Sequence, residues 1–396
     1  MIINRAKIIC RDSIKNGNVK TENGLIAALS DTPFQEKSVL DLQDEYYLAP
    51  GFVDIHTHGG NACDFMDNEE EAFEKILAFQ AKNGITSVVA STVTSPKETV
   101  LETINVARKV MQKRGEHAKL LGVHLEGPYL SYENRGAHAK EFLRIPADDD
   151  WQYILDNADV IRQVTISPEL RGAVELTKAL TERGIIVALG HDNAILPEIL
   201  PVIEAGASHL THIFCAMSAV IMKDNKRYVG LREYGLIDDN MTAELIADNH
   251  HLTPELVKMI YRCKGYERSC LISDCLRAGG MPRDGRLYSL GKNGDENSQK
   301  FMGSDGVAVL SDGSRYAGSI QPISQMLRNI VFDANIPLHE AIQTVSYTPA
   351  RVVHCEDKIG SIEIGKCADF CILDSELNVV ATVIDGKLLK GSRFDG

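Results

Sequence analysis

Apolar positions follow two rhythms along this chain of 396 residues. Near both ends, short apolar runs are punctuated by Asn, Gly and Asp: "MIINRAKIIC", "NGNVKTENG", "LIAALS" and "KSVLDLQDEYYLAP" at the start, "SIEIGKCADFCILD" and "NVVATVIDGKLLKG" at the end. Such punctuation predicts strands joined by hairpins, and the Asp385-Gly386 pair between two apolar runs is a strong turn signal. In between, eight strongly apolar segments alternate with amphipathic stretches over 69–83, 96–114, 170–183 and 254–264. The eight are "GFVDIHTH", "ITSVVASTVT", "LLGVHLEG", "QVTISPE", "IIVALGHD", "ASHLTHIF", "TAELIADN" and "SCLISDC". Strands that are apolar on both faces belong in a parallel sheet covered by helices. The alternation therefore predicts an α/β fold: a (β/α)8 TIM-like barrel over residues 51–354, with a small β-sandwich domain built from both termini, 1–50 and 355–396. Residues 279–318, rich in Gly, Asp and Asn, break the rhythm and read as a long loop or hairpin after the eighth strand.

Composition narrows the partners. A formal net charge of −13 disfavours nucleic acid and anionic membranes. No apolar run approaches the ~20 residues of a membrane helix, and the N-terminal stretch lacks the features of a secretory signal. Nine scattered cysteines, with no CxxC pair, read as reduced residues of a cytoplasmic protein.

Barrel chemistry sits at the C-terminal ends of the strands. The first predicted strand ends in His56 and His58, the third carries His124 and ends in Glu126, and the fifth ends in His191 and Asp192. The sixth carries His209 and ends in His212, the seventh runs into Asp248, His250 and His251, and the eighth ends in Asp274. Residues i and i+2 of a strand face the same side, so His56 and His58 can address one point. Glu126, His191 and His212 make a set of two imidazoles and one carboxylate, suited to zinc or another divalent ion with open positions. Asp274 is either a helix cap or a base, and a carboxylate near an activated water can take its proton and pass it to a leaving group.

The order HxH, Glu, His, His, Asp along a barrel flanked by a split β-domain resembles the amidohydrolase superfamily. More narrowly, "APGFVDIHTHGG", "GVHLEGPYL", "ALGHDNA", "THIFCAM", "LIADNHHL" and "LISDC" resemble the N-acetylglucosamine-6-phosphate deacetylase family, and "SYTPARVV" and "GSIEIGKCADFCILD" extend the likeness over nearly the whole chain. The resemblance implies a metal set of Glu126, His191 and His212, a second ion at His56 and His58, and Asp274 as catalytic acid/base. The ion would be Zn, with Fe, Mn, Co or Ni as options. It also implies His138 against the sugar, His251 near the phosphate end, and a homodimer acting on a phosphorylated amino sugar.

One position departs from that pattern. Where the family reads HxxNAM, with the asparagine helping to hold phosphate, this chain reads "HIFCAM", with Cys215 in that place. A thiol is a poor donor to an anion, although the backbone N–H of Ala216 can serve. The arginine that the family places a little further on, often reaching into the neighbouring subunit of a dimer, has Lys223, Lys226 and Arg227 as candidates here, Lys223 nearest the expected position. A deacetylase acting on another N-acyl amino sugar or amine is therefore a second expectation. A cyclic amidohydrolase or deaminase and a non-catalytic sugar-binding barrel are the readings from other classes.

Overall fold

The computed structural model describes residues 1–36, 39–391 and 393–394. Lys37 and Ser38 of the predicted strand "KSVLDLQDEYYLAP", like Ser392 and the last two residues of the chain, lie outside the described residues. Eight parallel strands form one sheet in sequence order: β1 (Phe52–Thr57), β2 (Ile85–Thr92), β3 (Lys119–Glu126), β4 (Ile161–Ile166), β5 (Ile186–Leu189), β6 (His209–Leu210), β7 (Thr242–Leu245) and β8 (Ser269–Leu271). Every residue of β1 and β2 is buried, as the unbroken apolar pattern requires. Beyond the last strand, the Asp274 N–H donates to the His56 carbonyl at 3.0 Å, and the Ser273 hydroxyl donates to Asp54 Oδ2 at 2.5 Å. These bonds draw the eighth segment against the first and nearly close the barrel. Asp54 is wholly buried, and the loss of water lifts its carboxyl to about 6 against the pull of the Ser273 hydroxyl.

Helices cover the outside. Those at Glu70–Lys82, Lys97–Met111, Ala173–Thr181 and Pro254–Lys264 fall on the amphipathic stretches, each turning an apolar face to the strands. The interior of the barrel is unusually polar. His124 bridges Ser91 and Thr165, Thr165 meets Thr211, and Gln163 and His209 meet Glu244.

Strands from both ends of the chain join in a second sheet. Its path runs Lys387–Leu388, Val379–Ile384, Phe370–Leu373, Tyr47–Pro50, Ile2–Ile9, Ile14–Glu22, Leu25–Ser30, and Leu40–Asp41 pairs beside Ile2–Ile9. The join is antiparallel, with Leu48 opposite Ile372, and the sheet has its own core of residues such as Ile3, Val19, Leu48, Phe370 and Val383. Asp385 (φ 49°) and Gly386 (φ 71°) form the expected two-residue turn. At the foot of β3, Lys119 Nζ bonds Asp369 at 2.8 Å and Asp385 at 2.5 Å, tying the barrel to this sheet.

Residues 287–319 contribute a third sheet of four antiparallel strands: Leu287–Ser289, Lys300–Ser304, Val307–Leu310 and Tyr316–Ser319. The sequence pattern suggested only a loop or hairpin here. All nine cysteines are free thiols, and no helix among the described residues is long and apolar enough to cross a membrane.

Candidate active site

Six of the residues singled out in the sequence meet where β1, β3, β5, β6 and β8 end. Glu126 Oε1, His191 Nε2 and His212 Nε2 lie 3.0–3.1 Å from one another. Ligand bonds of ~2.0–2.1 Å in a tetrahedron place ligand atoms about 3.3 Å apart, so this trio matches the spacing a divalent cation demands. His56, His58 and Asp274 form a second group of the same kind. Asp274 Oδ1 lies 3.2 Å from His58 Nε2 and 3.7 Å from His56 Nε2. The Glu126 carboxylate spans both groups: Oε1 faces His191, His212 and, at 3.5 Å, His56, while Oε2 is 3.3 Å from His58. Asp274, expected only as a base, thus also stands within the second ligand group.

Backbone conformation aims these side chains. His191, His212 and Asp274 have φ of 47°, 27° and 43°, a left-handed conformation at the ends of extended strands. That turn is costly for a residue with a Cβ, and it persists where the surroundings fix it. Two of the remaining ring nitrogens are also held. His191 Nδ1 donates to the Asn134 carbonyl at 2.9 Å, and His56 Nδ1 donates to Glu244 Oε2 at 2.8 Å. A proton held on Nδ1 leaves the Nε2 lone pair for a ligand, the usual outer support of a metal-ligating histidine. His56 Nε2 is a buried nitrogen with no hydrogen-bond partner among the described residues, as a ligand atom should be.

Charge follows burial. Burial alone would lower the His58 imidazole, but the carboxylates of Asp274 and Glu126 outweigh it and push it up to about 9. Burial would raise Glu126, yet the surrounding imidazoles, His56 foremost, hold it well below the usual carboxylate range. His138 goes the other way: burial takes it down to about 4 despite Glu126. The neutral ring of His138 accepts the Thr94 N–H at Nδ1 (3.2 Å), which leaves Nε2 as the protonated nitrogen, 3.3 Å from Glu126 Oε2.

The two groups open onto a cavity of about 330 Å³. His138, Cys215, Ala216 and His251, for which the family resemblance suggests contact with the substrate, line it. His251 is fixed by Asp248, whose Oδ2 accepts from its Nδ1 at 2.7 Å. Lys223 and Arg227 do not reach the cavity in this chain. Both sit on an exposed two-stranded hairpin, Ile221–Lys223 with Lys226–Tyr228. Three participants were missed in the sequence: Glu244, which holds His56, and Arg315 and Tyr316, which line the cavity from the third sheet. Glu244 carried a readable signal, a charged residue in the middle of an apolar strand, which needs a partner when buried.

A (β/α)8 barrel with two imidazole–carboxylate groups at its strand ends and a cavity above them is the layout of a metallohydrolase. The chain belongs to the amidohydrolase family, which it matches over residues 47–389. It is 32% identical to an N-acetylglucosamine-6-phosphate deacetylase of Vibrio furnissii over 371 residues, covering 93% of this chain and 89% of that one. It is also 32% identical, over 371 residues, to an N-acetylgalactosamine-6-phosphate deacetylase of Escherichia coli O157:H7, covering 93% and 94% of the two chains. Among solved structures, the N-acetylglucosamine-6-phosphate deacetylase of Pasteurella multocida superposes with a TM-score of 0.88 at 28% identity over 98% of each chain.

Proposed function

We propose that this protein hydrolyses the acetamide of N-acetylglucosamine 6-phosphate, releasing acetate and glucosamine 6-phosphate, as a step of amino-sugar catabolism. The observation that carries the reading is the placing of Asp274 Oδ1, 3.2 Å from His58 Nε2, beside a Glu126–His191–His212 trio at the floor of one cavity. The similarity to deacetylases of 6-phosphorylated N-acetylhexosamines over 93% of the chain supports the substrate class.

In this reading Glu126, His191 and His212 hold a divalent metal, and His56 and His58 hold a second. Zinc suits the nitrogen-rich donor set. When bound, such an ion acts as a Lewis acid toward the amide carbonyl and lowers the pKa of water. The chain's own residues do the rest. Asp274 takes a proton from the attacking water at its carboxylate and hands it to the departing amine, so one group is base and then acid. His138, neutral and protonated on Nε2, donates to the substrate. The cavity walls orient the amide over Asp274 and exclude bulk water. The sheet of residues 1–50 and 355–396 serves as a supporting domain. A cytoplasmic setting agrees with the free thiols, and a homodimer agrees with the exposed Val220, Ile221 and Met222 at the hairpin.

A second reading replaces the glucosamine core by another N-acylated amino sugar. Cys215 and the similarity to an N-acetylgalactosamine-6-phosphate deacetylase favour it. Acetate release from a panel of N-acetylhexosamines, with and without the 6-phosphate, on protein of measured metal content separates the two. No release from any of them by metal-loaded protein overturns both.

A further inference from the structure

A second cavity, of about 1030 Å³, opens at the foot of the barrel, where the shared sheet joins it. Ser87 and Leu121, near the starts of β2 and β3, line it from the barrel, and the hairpin segments 23–25 and 384–389 line it from the sheet. The two hairpins are packed on each other. A Cβ on Gly24 would lie 3.4 Å from Asp385 Cβ, and the Ala368 N–H donates to the Gly24 carbonyl at 2.8 Å. β3 leads from this cleft, at Lys119, to Glu126 in the metal-ligand group. At a strand rise of ~3.3 Å per residue the two cavities are about 23 Å apart.

The cleft is cationic in a chain of net charge −13. Arg114, Lys119, Lys358 and Lys387 line it against Glu116 and Asp385. Both carboxylates are already engaged. Asp385 accepts from Lys119 at 2.5 Å with Arg114 3.6 Å away, and Glu116 pairs with Lys390 at 3.4 Å. The ammonium groups of Lys358 and Lys387 enter no hydrogen bond or ion pair with any described residue. Between these charges the lining is apolar, with Leu25, Leu121 and Leu388, and Leu25 stays 44% exposed although it belongs to a strand. The Ser87 hydroxyl is wholly buried and has no hydrogen-bond partner among the described residues, and the side-chain amide of Asn23 has none either.

We propose that this cleft binds a nucleoside polyphosphate. Lys358 and Lys387 are compact charges with three donors each, suited to successive phosphate oxygens. The flat base covers the leucine side chains, and Asn23 and Ser87 offer donors and acceptors to its edge. A bare phosphate would leave the apolar lining uncovered, and a polyol would set hydroxyls against it. The ligand touches the barrel and both hairpins at once, so it binds the folded chain alone and stabilises it.

The test is calorimetric titration of the metal-loaded full chain, in excess magnesium, with ATP, tripolyphosphate and adenosine. It is repeated on Lys358→Ala/Lys387→Ala, on Leu25→Ser and on Lys223→Ala/Arg227→Ala. The wild type takes up about one ATP per chain and binds tripolyphosphate and adenosine at least about tenfold more weakly. The double lysine variant loses ATP affinity about 10- to 100-fold, and Leu25→Ser about fivefold. Lys223→Ala/Arg227→Ala, altered outside the cleft, keeps it. Both cleft lysines are exposed, and thermal melts check that their variant folds; ATP raises the Tm of the wild type and leaves that of the double lysine variant unmoved. No saturable ATP binding by the wild type overturns the proposal, as does unchanged ATP affinity in Lys358→Ala/Lys387→Ala. Tripolyphosphate that binds as tightly as ATP also overturns it, and so does ATP binding lost in Lys223→Ala/Arg227→Ala. Acetate release is not read, so these outcomes stand whatever the reaction at the other end of the barrel.

Discussion

His56 Nδ1 lies 2.8 Å from Glu244 Oε2, and the same oxygen accepts the backbone N–H of His212 at 3.0 Å. One fully buried carboxylate on β7 thus orients a member of each ligand group. Four donors converge on it, Gln163 and His209 on its other oxygen at 3.0 and 3.2 Å, and the imidazoles hold it well below the usual carboxylate range although burial opposes this. In Glu244→Gln the charge is lost and an amide N–H can displace the proton from His56 Nδ1 to Nε2. Metal affinity should fall about 10- to 100-fold with far-UV circular dichroism unchanged. Equilibrium dialysis against buffered zinc reads this directly, and unaltered affinity would refute the role given to Glu244.

Asp274→Asn keeps the shape of the side chain and removes the proton acceptor. The expected result is a kcat lower by about 10²- to 10⁴-fold, with the ion at Glu126, His191 and His212 retained. Metal analysis of the purified variant, beside steady-state rates, checks both halves. A variant that keeps wild-type kcat would exclude Asp274 as the base.

Replacing His56 and His58 by amides, as His56→Gln/His58→Asn, should remove one ion per chain and leave the other. Atomic emission on the variant and the wild type gives the count. Equal metal content in the two would mean that these imidazoles hold no ion.

Gly318 (φ 142°) approaches Asp274 so closely that a Cβ there would lie 3.0 Å from its carbonyl and 3.2 Å from Oδ2. Gly318→Ala should cost about 1–3 kcal/mol of stability through backbone strain. By displacing Asp274 it should also lower kcat about tenfold. Thermal melts and rates on the same preparation separate the two effects. A variant that is fully active and equally stable would show that the contact yields without consequence.

Lys264 closes the helix Pro254–Lys264 almost fully buried, its ammonium donating to the Asp238 carbonyl. Burial, with Arg268 adding repulsion, lowers it to about 8 from 10.5. Between those values the unfolded chain binds the proton that the folded chain has lost, so stability rises as pH increases from about 8 to 10.5. Below pH 8 the whole penalty applies, roughly 3 kcal/mol. The difference in stability between wild type and Lys264→Met, taken from denaturant midpoints across about pH 7–10.5, should move in favour of the wild type as pH rises. A flat difference would contradict the lowered value.

The ligand groups were legible because each polar residue interrupts or ends an apolar strand, and barrel topology then brings all strand ends together. His56, His58, Glu126, His191, His212 and Asp274 share that signature. Glu244 obeys the same logic but sits inside its strand rather than at the end, where attention falls less readily. Lys223 and Arg227 follow His212 closely in sequence, yet a hairpin carries them outward, since turn geometry rather than sequence distance sets direction. Arg315 lies in a segment without helical or strand-barrel period. Its position depends on backbone bonds from Ser319 to Asp274 and Leu276, which no side-chain pattern announces.

The sheet shared by the two ends has a consequence for how the chain is made. Tyr47–Pro50 hydrogen-bonds to Ile2–Ile9 on one side and to Phe370–Leu373 on the other. During synthesis the opening strands therefore leave the ribosome with one edge unpaired and keep it so while more than 300 further residues are translated. An apolar strand left waiting in this way is a template for pairing with another chain. A prematurely ended polypeptide would keep all six ligand and base residues and still be prone to aggregate, so the final hairpin acts as a seal on a molecule whose chemistry was complete long before.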